Sequence, residues 1–163
     1  MFDRSADKQI EEWLKELGLT ISRPPQAKEF FHIVVSPPQG GPSLSIVRIN
    51  EDSKFYIIVM GIAIHPTHVS ALMSLKREER VKFIIDLQLE ALKYGVDFVA
   101  MPPNQEAPNI IQVSRPLFMD NLTANEFINT LLSVRNAGVS IMLKFTQKFG
   151  PYEPQQQTSL KYT

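Results

Sequence analysis

The chain has 163 residues, and its 17 Lys and Arg balance 17 Asp and Glu, so nothing global favours a polyanion or an anionic membrane as partner. Hydrophobic residues make up 44% of it and cysteine is absent, which excludes thiol catalysis, cysteine-ligated zinc and disulfide stapling. A domain of this size buries about 70% of its extended-chain surface and can build a core without metals.

Residues 1–150 are expected to form one α+β domain and 151–163 a polar tail. The first predicted element is a helix over about 5–17. Ile10, Trp13, Leu14 and Leu17 fall at i, i+3, i+4, i+7 on one face, and Gly18 suits the left-handed position after the last turn. Three strand-like runs follow, Lys28–Val35, Leu44–Ile49 and Lys54–Ile64, separated by the proline-glycine stretch 36–43 and the polar turn 50–53. Strands joined by short loops pair antiparallel, so these runs predict a meander. His65-Pro66-Thr67-His68 breaks the last strand and opens a helical stretch to about Tyr94, with a bend near Ser74. Two further strands, Asp97–Met101 and Asn109–Leu117, flank a loop that opens on Pro102-Pro103.

Thr123 and Glu126 then read as a capping box. The segment Val139–Phe149 alternates enough to pass for a strand. However, Phe127, Leu131, Val134, Gly138, Ile141 and Phe145 are spaced 4, 3, 4, 3, 4, a stripe that crosses the glycine and predicts one helix over about 124–149. Gly138 costs such a helix about 1 kcal/mol relative to Ala, which close packing can offset. Altogether the expected fold is α+β, order α-β-β-β-α-β-β-α, with an antiparallel sheet of about five strands and three main helices.

Chemistry-bearing patterns are sparse. No glycine loop opens a helix as phosphate sites require, and Ser36, Ser43, Ser70, Ser114 and Ser140 lack a nucleophile frame. Asp120 and Glu126 read as a turn residue and a capping residue. His65 and His68 form the only histidine pair; two imidazoles three apart can share a metal or line a small-molecule site, yet no Asp or Glu lies within nine residues of them. Capping of the following helix is the other reading, and His32, inside an apolar strand, reads as a hydrogen-bonded packed side chain. The run Lys76–Lys82 carries both signs of charge and reads as a solvated first turn or two rather than a nucleic-acid footprint. No apolar run reaches the length of about 18 residues that a membrane helix needs, and Met1–Ser5 lacks the pattern of a secretory signal, so a soluble cytoplasmic protein without cofactor is expected.

What the pattern has in excess is apolar helix surface, which favours self-association or a docking surface for another polypeptide. Trp13, Leu14 and Leu17 are the expected partner contacts, and Val81, Ile84, Ile85 and Leu92 the expected dimer contacts. The element order over 5–149 resembles the fold of type III secretion chaperones and the related YbjN-like proteins. Lys8–Leu17 (KQIEEWLKEL), Lys54–Ile64 and Leu117–Phe145 also resemble an uncharacterised archaeal family placed near that fold. The resemblance implies a homodimer that offers sheet and helix surface to another polypeptide and has no catalytic centre. It differs in charge: secretion chaperones are generally acidic, whereas this chain is neutral, which weighs against escort of a secreted effector.

Overall fold

A computed structural model describes residues 4–103 and 106–151. The expected tail therefore lies, apart from Pro151, outside the described residues. The elements in chain order are α1 (Arg4–Glu16), β1 (Thr20–Ser22), β2 (Phe31–Ser36), β3 (Leu44–Arg48), β4 (Phe55–Ala63), α2 (Pro66–Ser74), α3 (Arg77–Lys93), β5 (Asp97–Met101), β6 (Ile110–Phe118) and α4 (Ala124–Phe149). The six strands form one sheet in the order β1-β2-β3-β4-β6-β5, and every neighbouring pair runs antiparallel. The meander is present as β2-β3-β4. The hairpin β5-β6 returns so that β6 lies beside β4 along its full length, from Phe55↔Phe118 to Ala63↔Ile110.

Two expectations are corrected. The sheet has six strands rather than five, because Thr20-Ile21-Ser22 adds an edge to β2. Three residues between Gly18 and Pro24 are too few to show a period of two. There are four helices rather than three, because the stretch expected to run from His65 to Tyr94 breaks completely: Leu75 and Lys76 are extended, with ψ of 151° and 147°. Arg80 stabilises that break. Its guanidinium donates to the carbonyls of Met73 (3.2 Å) and Leu75 (3.3 Å) and pairs with Glu106. Thus Arg80, read as part of a solvated charged run, is only 7% exposed and serves as an internal cap for carbonyls that would otherwise lose their partners.

All buried strand residues lie on one face of the sheet. Phe31, Ile33 and Val35 of β2 register against Arg48, Ile46 and Leu44 of β3; Ile46 faces Ile58 of β4, and Tyr56 and Met60 face Leu117 and Val113 of β6. The helices cover this face. Residues Ile10 and Leu14 of α1 and the α4 stripe Phe127, Leu131, Val134, Gly138, Ile141 and Phe145 are buried against it. The expected capping box is formed: the Glu126 amide donates to the Thr123 hydroxyl at 3.2 Å, and the Thr123 amide donates to the Glu126 carboxylate at 3.2 Å.

Gly138 lets α4 approach β4 closely. A Cβ built there would lie 2.7 Å from Met60 Cε and closer still to the Met60 sulfur, and Met60 is itself 1% exposed in the core. Gly138→Ala is therefore expected to lose about 1 kcal/mol net, since overpacking costs about 1–3 kcal/mol against a helix gain of about 1. In a Met60→Ala background the same change should stabilise. Urea midpoints of the two single variants and the double variant test this reversal of sign.

Candidate functional site

The apolar stripe of α1 is mostly committed to the chain's own core. Leu14 is fully buried, and Trp13 is half-buried with its ring stacked on Phe127 of α4, centroids 5.6 Å apart. Only Leu17, 47% exposed, stands clear of the core. The expected partner site Trp13, Leu14 and Leu17 is corrected at Leu14, which is fully buried and has no surface to offer.

A polar cluster that the sequence did not signal holds α1 in place. Asp7 accepts from the Tyr56 hydroxyl at 2.5 Å and from the Arg48 guanidinium at 2.7 and 3.3 Å. Arg48 also donates to the Glu51 carbonyl at 3.0 Å and lies 4.5 Å from the centroid of the Phe30 ring. Burial and then the hydrogen bond to Asp7 push the Tyr56 phenol well above its ordinary range. Burial works against the Arg48 charge, but the Asp7 carboxylate more than restores it and raises the guanidinium pKa. The three groups come from 41 and 49 residues apart in sequence and satisfy one another, tying α1 to β3 and β4 as a clamp.

The α3 surface is divided. Phe83, Leu87 and Ala91 are buried, and Ile84 is half-buried against the core. Val81, Ile85 and Leu92 are 49%, 47% and 68% exposed, and Leu89 joins them at 52%. Of the expected dimer set, Val81, Ile85 and Leu92 thus stand on one outward stripe, and Ile84 sits behind it. Leu89 is the next i+4 step after Val81 and Ile85, a signal present in the sequence although Leu89 is not among the expected contacts. Glu90 fixes the inner side of α3 to α4. It accepts from the Ser140 hydroxyl at 2.6 Å and from Lys93 at 2.9 Å, bonds that hold its carboxyl below the ordinary value.

The histidine pair serves structure. His65 caps α2, its Nδ1 accepting from the Thr67 amide at 3.2 Å. His68 is 2% exposed, hydrogen-bonds through Nε2 to the Gly150 carbonyl at 2.9 Å and stacks on Phe145 with centroids 5.9 Å apart. Among the described residues no group of three or more His, Cys, Asp or Glu is placed to hold a metal ion. An open depression of about 380 Å³ between α3 and α4 is lined by Glu79, Lys82, Phe83, Asp86, Lys144, Gln147 and Lys148. Its charges are of both signs and mostly solvated, so it selects no ligand chemistry.

Among the described residues, a second uncovered apolar surface lies on the far side of the sheet. Each buried strand residue alternates with one that points away from the helices: Val34, Val47, Ile57 and Val59 at the centre, with Val99, Ile110 and Phe118 toward the margins. The central residues are half-buried by their neighbours; Val99, Ile110 and Phe118 are 47%, 40% and 60% exposed. None of them packs against the core formed by the other face. Among the described residues, Asp97, at the β5 edge, is the one formally charged strand residue pointing to this side. His32 also lies here, hydrogen-bonded to Glu29 and to Ser45, each at 3.2 Å.

No helix of the described residues is long and apolar enough to cross a membrane. Comparison with known proteins places the fold. No curated protein matches the sequence. A crystal structure of an uncharacterized protein from Methanothermobacter thermautotrophicus is similar with a TM-score of 0.79 and 25% identity, over 89% of this chain and 99% of that one. A crystal structure of YbjN from E. coli is similar with a TM-score of 0.48 and 16% identity, over 86% of this chain and 88% of that one. Residues 6–145, from α1 nearly to the end of α4, match the family described as uncharacterized conserved protein (DUF2299), and the chain belongs to that family.

Proposed function

We propose that this chain is a non-enzymatic protein-binding module of adaptor or chaperone-like character that works as a homodimer. The observation that carries the reading is the pair of uncovered apolar surfaces on opposite sides of the described residues: the outer stripe of α3, and the sheet face that none of their helices covers. A module that joins a copy of itself to another polypeptide needs two such surfaces.

Size assigns the roles. The stripe from Val81 to Leu92 is about 18 Å long at 1.5 Å per residue and one helix wide, too narrow for a stable dimer by itself. It suits a partner helix that lays its own i, i+4 side chains alongside. The α3 stripe, expected from the sequence to join two copies, is therefore reassigned to the partner. Burying two side chains of this size is worth about 3 kcal/mol, so Ile85→Asp with Leu89→Asp should weaken partner capture about 100-fold.

Quantitative capture from native extract, run in parallel with wild-type and doubly substituted chains, measures this. The reading expects a polypeptide retained at fixed stoichiometry by the wild type and lost by the variant, with the variant's solution mass unchanged. Equal retention by both chains would exclude α3 as the docking surface.

A further inference from the structure

We infer that the helix-free face of the sheet is the seat of a second copy of this chain, packed sheet on sheet about a two-fold axis. The inference rests on the reading of the protein as a self-associating module and names the surface it uses. Three observations carry it.

The first is extent. Six strands at about 4.8 Å spacing span about 29 Å, and β4 and β6, nine residues each, run about 30 Å. Even with the shorter outer strands, this face is on the order of 600 Å² in projection, and its pleated accessible area is larger. Stable interfaces take about 800 Å² from each partner. The α3 stripe is a fraction of that.

The second is charge. A two-fold axis brings a surface against itself, so any charge near the axis meets its own sign. The centre of this face has none: Val47 lies opposite Ile57, Ser45 opposite Val59, and Val59 opposite Ser114. Asp97 sits at the β5 edge, and the charge nearest that centre is the Glu29 carboxylate, bonded to His32 of β2, which lies opposite Val47. Depletion of charge from the middle of a contact is the compositional mark of an interface core.

The third is the pattern itself. Strands covered on both faces read as continuous apolar runs, whereas strands with one wet face alternate apolar with polar. β4 reads Phe-Tyr-Ile-Ile-Val-Met-Gly-Ile-Ala with no charged residue, yet the chain's own helices cover only its Tyr56, Ile58, Met60 and Ile62 side. A second sheet about 10 Å away, aligned within about 30°, supplies the cover that β4 is composed for.

The experiment uses the full chain in sedimentation velocity over a wide concentration series. Wild type is expected at twice the chain mass of 18.5 kDa. Val59→Lys and Val59→Glu should each sediment as monomers with native circular dichroism, and an equimolar mixture of the two should recover the dimer, because opposite charges then meet across the axis. Should either variant lose its native spectrum, Ser45→Lys and Ser45→Glu, opposite Val59 in the register, replace them. Ile85→Asp on α3 should leave the dimer intact. If charges on the sheet face leave the dimer intact, or if the mixture stays monomeric, the inference is overturned. A dimer lost only in Ile85→Asp overturns the choice of surface and leaves the self-association reading standing. A monomeric wild type, with the face left open or taken by another polypeptide, overturns both.

Discussion

Asp7→Ala is expected to cost about 3 kcal/mol of folding stability, although Asp7 lies in the first turn of the first helix and at no proposed interface. The cause is Arg48, whose side chain is 2% exposed and whose charge the Asp7 carboxylate compensates. Removing one partner of a buried pair leaves the other charge desolvated, a penalty of about 3–5 kcal/mol; the Glu51 carbonyl and the Phe30 ring keep the loss at the lower end. Two comparisons separate this from simple loss of a contact. Tyr56→Phe deletes one hydrogen bond to a charged acceptor and should cost about 1.5–3 kcal/mol. Arg48→Met combined with Asp7→Ala should cost less than Asp7→Ala alone, because the stranded charge is gone. Urea midpoints of the three variants against wild type check the set. An Asp7→Ala midpoint equal to wild type would mean that the clamp does not hold α1 to the sheet.

Leu14→Ala should lower stability by about 3 kcal/mol, within the 2–5 typical of fully buried leucines. For a chain of this length that corresponds to a melting temperature lower by about 6–12 °C. Leu17→Ala, three residues on and 47% exposed, should change stability by less than about 0.5 kcal/mol. Both residues belong to one apolar stripe in the sequence, so paired melting curves distinguish a stripe that is core from one that is a docking surface. Equal shifts for the two variants would show that α1 packs differently from its placement here.

Much of the fold was legible because its signals are local. The capping box at Thr123 and Glu126 and the 4, 3, 4 spacing across Gly138 fixed α4 to within a residue, and the short loops between β2, β3 and β4 left antiparallel pairing as the available arrangement. The break at Leu75 and Lys76 was only half legible, as a bend, since it depends on Arg80 reaching back to carbonyls on another turn. The candidate surfaces were legible in kind and not in place. Helix stripes drew attention because amphipathic periodicity is easy to see, yet the α1 and α4 stripes are absorbed by the chain's own sheet. The uncovered face was hidden by its own composition: in Phe55–Ala63 both alternating sets are apolar, so period-two reasoning cannot tell core from surface. Which set is buried depends on where the helices cross the sheet, and that is a tertiary fact. The clamp of Asp7, Arg48 and Tyr56 was invisible for the same reason, since no spacing rule joins residues from α1, β3 and β4.

The mass of the unmodified full chain in dilute solution, by multi-angle light scattering, tests most directly whether the chain joins a copy of itself, on which the sheet-face interface depends. A species of twice 18.5 kDa that persists on dilution is expected, whereas a species that stays at 18.5 kDa at every concentration contradicts self-association.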